Sequence, residues 1–360
     1  MCAIRLESCP VCGSADLPVA RQLGCCALCL RDHYPIVQNQ VAAAHAATRA
    51  EFRLPARPPR SPSGVQCVLC SNECLIGEGE RGFCGLREVR AGKLLHRAGT
   101  PDRGLLHWYR DPLPTNCVAD WVCEGSKHPG DHNLAVFYAS CTANCLFCQN
   151  WHFRQVSVLK SKTMRADELA AVANKRTFCV CFFGGDPSSQ MPHALAASKR
   201  LAERNVRVCW ETNGMMHPRL LEAALRYSLE TGGCIKFDLK AFDESLHRGL
   251  TGVSKRRTLE NFARAARRFR ERPDPPLVVA STLLVPGYID AGQVEKIASF
   301  IASFDARIPY SLLAFAPNFY MPDLPCTSWR QASNGAAAAS AAGLTNVRLG
   351  NRHLLGLNWV

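Results

Sequence analysis

The run Tyr138-Ala-Ser-Cys141-Thr-Ala-Asn-Cys145-Leu-Phe-Cys148-Gln-Asn150 decides the fold, through what it carries and what it follows. It carries three thiols in a C-x3-C-x2-C loop, and thiolates suit iron–sulfur centres. Three protein ligands on a four-iron cubane leave one iron open for a substrate or cofactor. The same spacing also permits a zinc loop that borrows a fourth ligand, or three incidental thiols. The run follows a β-rich stretch at 134–139. A loop just past a strand's C-terminal end is where α/β folds put their chemistry.

Outward from that loop, β-rich runs recur at 178–183, 206–211, 234–239, 277–285 and 308–315, with helical patterns near 165–176, 191–204, 218–230, 257–270 and 290–303. Strand–helix alternation implies parallel pairing through right-handed crossovers, so the fold class is α/β. Six such units curve into an incomplete (β/α)6 barrel or lie in an open doubly wound sheet; the barrel is the expectation here. No repeat of solenoid length is visible.

Each of the next strand ends also carries a motif. The second ends in Phe183-Gly184-Gly185-Asp186-Pro187 and the third in Glu211-Thr212-Asn213-Gly214. The fourth carries Lys236-Phe-Asp238-Leu239-Lys240 and the fifth Leu284-Val285-Pro286-Gly287-Tyr288-Ile289-Asp290. Singly, these are ordinary turns or structural ion pairs. Five in order, each at a strand end, are a pattern. Over about residues 134–315 the chain resembles the radical S-adenosylmethionine (radical SAM) superfamily. That family's motif is C-x3-C-x-aromatic-C, and Phe147 stands at the aromatic position. The glycine pair resembles the family's Gly-Gly-Glu-Pro segment, with Asp186 in place of Glu; the later segments resemble those of the pyruvate formate-lyase activating enzymes.

The resemblance implies one [4Fe–4S] cluster on Cys141, Cys145 and Cys148, with SAM on its open iron. SAM contacts are implied for Phe147, Gly184, Gly185, Asp186, Glu211, Asn213, Asp238 and Lys240. One electron would cleave SAM to methionine and a 5′-deoxyadenosyl radical, which abstracts hydrogen from a substrate. No side chain need act as an acid–base catalyst. The implied activity is that of a radical SAM oxidoreductase akin to the glycyl radical activating enzymes. It would draw electrons from a donor such as flavodoxin or ferredoxin and act on a protein or peptide. Two glycines let backbone approach a ligand closely, so backbone at 184–186 is expected to meet the SAM ammonium. Asp186→Asn is then expected to be tolerated and Gly185→Val to be damaging.

The chain has 20 cysteines in 360 residues, too few for a disulfide scaffold and grouped at short spacing. Cys9, Cys12, Cys26 and Cys29 form two C-x2-C knuckles that suit a closed, structural zinc site, with Cys25 an alternative to Cys26. Cys67, Cys70, Cys74 and Cys84 form a second set. It resembles the front segment of the activating-enzyme-like proteins called AmmeMemoRadiSam, with Ser71 and Leu86 departing from their proline and valine. This set suits zinc or an auxiliary cluster. Cys117, Cys123, His128 and His132 permit Cys2His2 ligation or are unconnected, and Cys179, Cys181, Cys209 and Cys234 read as core.

The domain expectation is a zinc-ribbon-like module plus helix at 1–52, a Pro-rich linker at 53–64, a second cysteine-rich region at 65–133, the barrel at 134–315 and a C-terminal extension at 316–360. Net charge is 43 − 30 = +13, with eight basic residues between Lys255 and Arg272. This favours anionic partners. The competing function is therefore a zinc-ribbon nucleic-acid-binding or RNA-modifying protein, although no aromatic platform for single strands stands out. No run of about 18 apolar residues predicts a membrane span. No signal peptide is visible, so a cytoplasmic location without membrane partners is expected.

Overall fold

The computed structural model describes residues 8–115 and 117–356. The first seven residues of the expected N-terminal module and the last four of the C-terminal extension lie outside them.

The front of the chain holds α1 (Ala27–Asp32) and α2 (Tyr34–Ala50), then two antiparallel hairpins, β1 (Val65–Gln66) with β2 (Leu75–Ile76) and β3 (Arg87–Arg90) with β4 (Lys93–His96). The body follows as β5 (Leu106–Pro112), β6 (His132–Tyr138), α3 (Ala166–Ala171), β7 (Thr177–Gly184), α4 (Met191–Ala202), β8 (Arg207–Thr212), α5 (Pro218–Thr231) and β9 (Ile235–Asp238). It ends with α6 (Glu244–Thr251), α7 (Arg256–Arg267), β10 (Val278–Leu284), α8 (Ala291–Ala302), β11 (Tyr310–Ala314), α9 (Trp329–Ala341) and β12 (Val347–Gly350).

Strands β5 to β12 form one eight-stranded sheet in strict sequence order. Every pair from β6 to β12 is parallel, and β5 joins β6 antiparallel. A doubly wound sheet reverses its order part-way. Sequential order with right-handed crossovers keeps the helices on one face and curls the sheet into an incomplete barrel.

All six expected strands are present. The sheet also takes β5 and β12 from segments expected to lie outside it. Both are edge strands, and edge strands carry charged and half-exposed residues rather than apolar runs. Along β5, His107 and Tyr109 pair opposite Phe137 and Ala135 while Arg110 and Asp111 stand close by, which hides the strand in the sequence. Helices α6 and α9 were likewise not anticipated; α9 is rich in alanine and serine, with little apolar periodicity.

The front is docked onto the barrel. The Tyr288 hydroxyl, just past β10, accepts from the backbone N–H of Ala20 at 3.0 Å and donates to the Cys25 carbonyl at 2.9 Å. A Cβ on Gly287 would lie 2.3 Å from the Pro18 carbonyl oxygen, so only glycine permits this approach. On α7, Phe262, Ala265 and Ala266 are buried while Arg257 and Arg268 pair with Glu260 and Glu271. The basic residues there are largely a solvated outer face.

Candidate active site and metal centres

The cysteine loop leaves the C-terminal end of β6 and is pinned on several sides. Asn144 and Leu146 donate their backbone N–H groups to the carbonyls of Thr251 and Leu250, at the end of α6, at 2.8 and 3.0 Å. Asn72 donates to the Thr142 carbonyl at 2.8 Å. The Asn144 amide donates to Thr48 at 3.0 Å and to His45 Nδ1 at 2.8 Å, both on α2. Burial lowers His45 to about 4, so the ring is neutral; its Nε2–H donates to the Gly249 carbonyl at 3.0 Å. Burial pushes the Cys145 thiol up to about 12, against the pull of the Lys240 ammonium, and raises Cys148 against the pull of Arg154. A metal bound there would have to expel protons from these thiols.

The strand-end motifs converge on this loop. Gly185 donates its N–H to the Tyr138 carbonyl at 2.9 Å, and Asp186 donates to the Ser140 carbonyl at 2.8 Å. A Cβ on Gly185 would sit 2.2 Å from the Ser140 oxygen. The glycine is thus required by the barrel's own backbone, before any ligand arrives. The Asp186 carboxylate is buried and saturated. It accepts from the N–H of Ser188 at 2.7 Å, from the N–H of Asn213 at 2.6 Å and from the Thr212 hydroxyl at 3.1 Å. It latches the end of β7 to the end of β8.

Asn213 donates through its amide to the Cys141 sulfur at 3.7 Å and to the Thr142 hydroxyl at 3.0 Å. Lys240 pairs with Asp238 and lies 5.4 Å from the Phe147 ring centroid. The other Asp238 oxygen, Oδ1, is buried without a hydrogen-bond partner. An unpaired buried acceptor beside the cysteine loop fits a donor arriving with a ligand. Glu211 faces the barrel interior instead, 3.5 Å from the Lys236 ammonium. Arg154, which the sequence reading did not single out, influences both Cys145 and Cys148 and reaches the Ala143 carbonyl at 3.4 Å. Only its place six residues past the last cysteine pointed to it.

The first thiol set is brought together at single-ion dimensions. The sulfur pairs Cys9–Cys29, Cys12–Cys26 and Cys26–Cys29 are 3.8, 3.7 and 3.7 Å apart. A zinc–sulfur bond of about 2.3 Å gives a tetrahedral edge of about 3.8 Å. Cys26 takes the fourth corner, while Cys25 points elsewhere and is fully buried. Among the described residues this is the one group of three or more ligand atoms lying within 4.8 Å of one another. The triplet and the Cys67 set are therefore spread wider than the ligands of one ion. In the Cys67 set, the Cys67 N–H donates to the Cys74 carbonyl at 2.9 Å, and Ser140 donates to the Cys84 carbonyl at 2.9 Å. That places the set against the cysteine loop. Cys117, Cys123, His128 and His132 do not assemble. His132 bonds Thr177 at 2.8 Å, and the His128 ring packs tilted against Phe178. The Cys2His2 alternative is not formed.

Residues 135–301 match the Radical SAM superfamily. Over that stretch, somewhat under half of its length, the chain is similar to radical SAM proteins. It is 26% identical over 207 residues to an isethionate sulfite-lyase activating enzyme of Oleidesulfovibrio alaskensis, covering 55% of this chain and 64% of that one. It is 28% identical over 131 residues to the pyruvate formate-lyase 1-activating enzyme of Escherichia coli, covering 35% of this chain and 52% of that one. The chain thus spans less than two thirds of either relative. Among solved structures it overlaps a domain of pyruvate-formate lyase-activating enzyme from Bacteroides vulgatus, with TM-score 0.39, 20% identity, and 48% and 99% of the two chains covered. No helix of the described residues is long and apolar enough to cross a membrane.

Proposed function

We propose that this chain is a radical SAM enzyme of activating-enzyme type, acting on a protein or peptide and drawing electrons from a flavodoxin or ferredoxin. In this reading Cys141, Cys145 and Cys148 hold one [4Fe–4S] cluster. Cys9, Cys12, Cys26 and Cys29 hold structural zinc, and Cys67, Cys70, Cys74 and Cys84 hold zinc or an auxiliary cluster; their wide spread favours the cluster. When bound, the four-iron cluster and SAM supply one-electron reductive cleavage to a 5′-deoxyadenosyl radical that abstracts hydrogen.

The carrying observation is the convergence of the cysteine loop with the Gly184–Gly185 backbone, the Asn213 amide and the unpaired Asp238 oxygen at one end of the sheet. These groups bind and orient. Asn213 donates toward the Cys141 sulfur, which stabilises a thiolate there. Lys240, held by Asp238, places positive charge beside Cys145. The buried Asp186 latch keeps the two glycine-bearing strand ends in register. Substrate class rests on the activating enzymes among the relatives.

The test is anaerobic reconstitution of the full chain with iron, sulfide and dithionite, followed by SAM. Expected are 5′-deoxyadenosine and methionine, both lost in the Cys141, Cys145, Cys148→Ala triple variant. Deuterium carried into 5′-deoxyadenosine from a labelled candidate protein would identify the donor. 5′-Deoxyadenosine formed by the triple variant would defeat the assignment.

A further inference from the structure

Away from the cysteine loop, six more thiols meet inside the barrel. Cys117 and Cys123 come from the segment between β5 and β6, Cys179 and Cys181 from β7, Cys209 from β8, and Cys234 from the turn before β9. Alternate residues of a strand share a face. Cys179 and Cys181 therefore point the same way, and Cys181 is the direct register partner of Cys209 on the neighbouring strand. All six line one cavity of about 510 Å³. Cys209 lies at their centre: it is the register partner of Cys181 and lines the same cavity as Cys123, Cys179 and Cys234.

Core packing does not account for this. A buried free cysteine that merely packs behaves as a small hydrophobe among apolar atoms. Here the thiols face a buried lysine. The Lys236 Nζ lies 3.0 Å from the Cys117 sulfur and 3.1 Å from the Cys181 sulfur, and Glu211 is 3.5 Å away. An ammonium in such a place is costly unless negative charge surrounds it. Glu211 supplies part of that charge, and thiols that lose their protons to a metal would supply the rest; clustered thiolates select zinc, copper(I) or iron–sulfur centres. No three of these sulfurs fall within 4.8 Å of one another, unlike the Cys9 set, so a single tetrahedral ion is the poorer fit.

We propose that these thiols hold a further iron–sulfur cluster inside the barrel, with Cys181 and Cys209 as ligands from the sheet, Cys117 and Cys123 closing it from the preceding segment, and Lys236 as its counter-ion. The cavity continues to Gln149 and Asn150, immediately after Cys148. The centre would thus share its chamber with the cysteine loop.

The test uses full-length protein with Cys141, Cys145 and Cys148 replaced by Ala, so that iron there cannot mask the result and failure of the SAM-cleavage reading does not affect it. Cys181→Ala and Cys209→Ala are added together. After anaerobic reconstitution with iron and sulfide, the added pair is expected to remove one cluster's worth of iron and acid-labile sulfide, with its visible absorption and its dithionite-reduced EPR signal. Unchanged iron and sulfide, or loss of zinc in their place, would overturn the proposal. If the added pair impairs folding by circular dichroism, Lys236→Met decides, since it keeps all six thiols. It is expected to retain the iron and to move the reduction potential of the barrel signal to more negative values. A signal whose potential stays put, or that is absent in both proteins, rejects the centre.

Discussion

Asp186→Asn tests the reading of the strand ends most sharply. The wild-type carboxylate accepts two backbone N–H groups, Ser188 at 2.7 Å and Asn213 at 2.6 Å, besides the Thr212 hydroxyl. Asparagine keeps one acceptor oxygen and turns an NH2 toward the other N–H. One charge-assisted bond is lost and its buried donor is left facing a donor. That single event costs about 1.5–3 kcal/mol. From the sequence, the substitution is expected to keep SAM cleavage; saturation of the carboxylate by protein donors adds a stability cost to that expectation. The assay is urea unfolding of the reconstituted holoprotein beside SAM affinity by equilibrium binding. Expected is a stability loss near 2 kcal/mol, on the order of that one bond, with SAM affinity falling only as far as the loosened β7–β8 junction displaces the backbone. Stability within about 0.5 kcal/mol of wild type, together with a tenfold loss of affinity (about 1.4 kcal/mol), would refute the latch and give the carboxylate to the ligand.

Gly185→Ala already places a Cβ 2.2 Å from the Ser140 oxygen, so Gly185→Ala and Gly185→Val should both destabilise the apo protein, measured by thermal melts without SAM. Zinc at Cys9, Cys12, Cys26 and Cys29 should be measurable as one tightly held ion in the full chain, and Cys26→Ala should release it while Cys25→Ala does not. Burial lowers His193 and His247 to about 4, while the unfolded chain titrates near 6.5. Between those values the unfolded state binds more protons. Stability is therefore full above about pH 6.5 and falls as pH drops toward 4, by up to about 1.4 kcal/mol per pH unit for each ring. His193→Gln should flatten that slope in urea titrations run at several pH values.

Much of this was legible in the chain. Most of the inner strands announced themselves because both their faces are largely buried, which leaves runs such as Leu134–Tyr138 and Leu277–Leu284 mostly apolar, while β8 alternates buried and half-exposed residues. The cysteine triplet and the glycine pair were legible because their spacing is set by backbone chemistry. What stayed hidden depends on tertiary neighbours. The edge strands β5 and β12 carry solvent-facing residues, so nothing in their composition separates them from loop. Cys179, Cys181, Cys209 and Cys234 look like core until the curl of the sheet shows that their shared face is the barrel interior. Lys236 was quoted within a strand-end motif, yet its partners are 55 and 119 residues away in sequence.

The tether from α2 to the cysteine loop has a consequence for the order in which the molecule is built. His45 and Thr48 emerge from the ribosome about a hundred residues before Asn144, their partner in the loop. The thiol knuckles ahead of α2 are translated earlier still, and segments made first fold first. On the proposed metal assignments, a nascent chain whose knuckles had captured zinc would offer α2 as a surface against which the later loop can close. Without zinc during synthesis, the loop between Cys141 and Cys145 would lack that support. Zinc supply at translation would then influence how much of the polypeptide could accept a cluster.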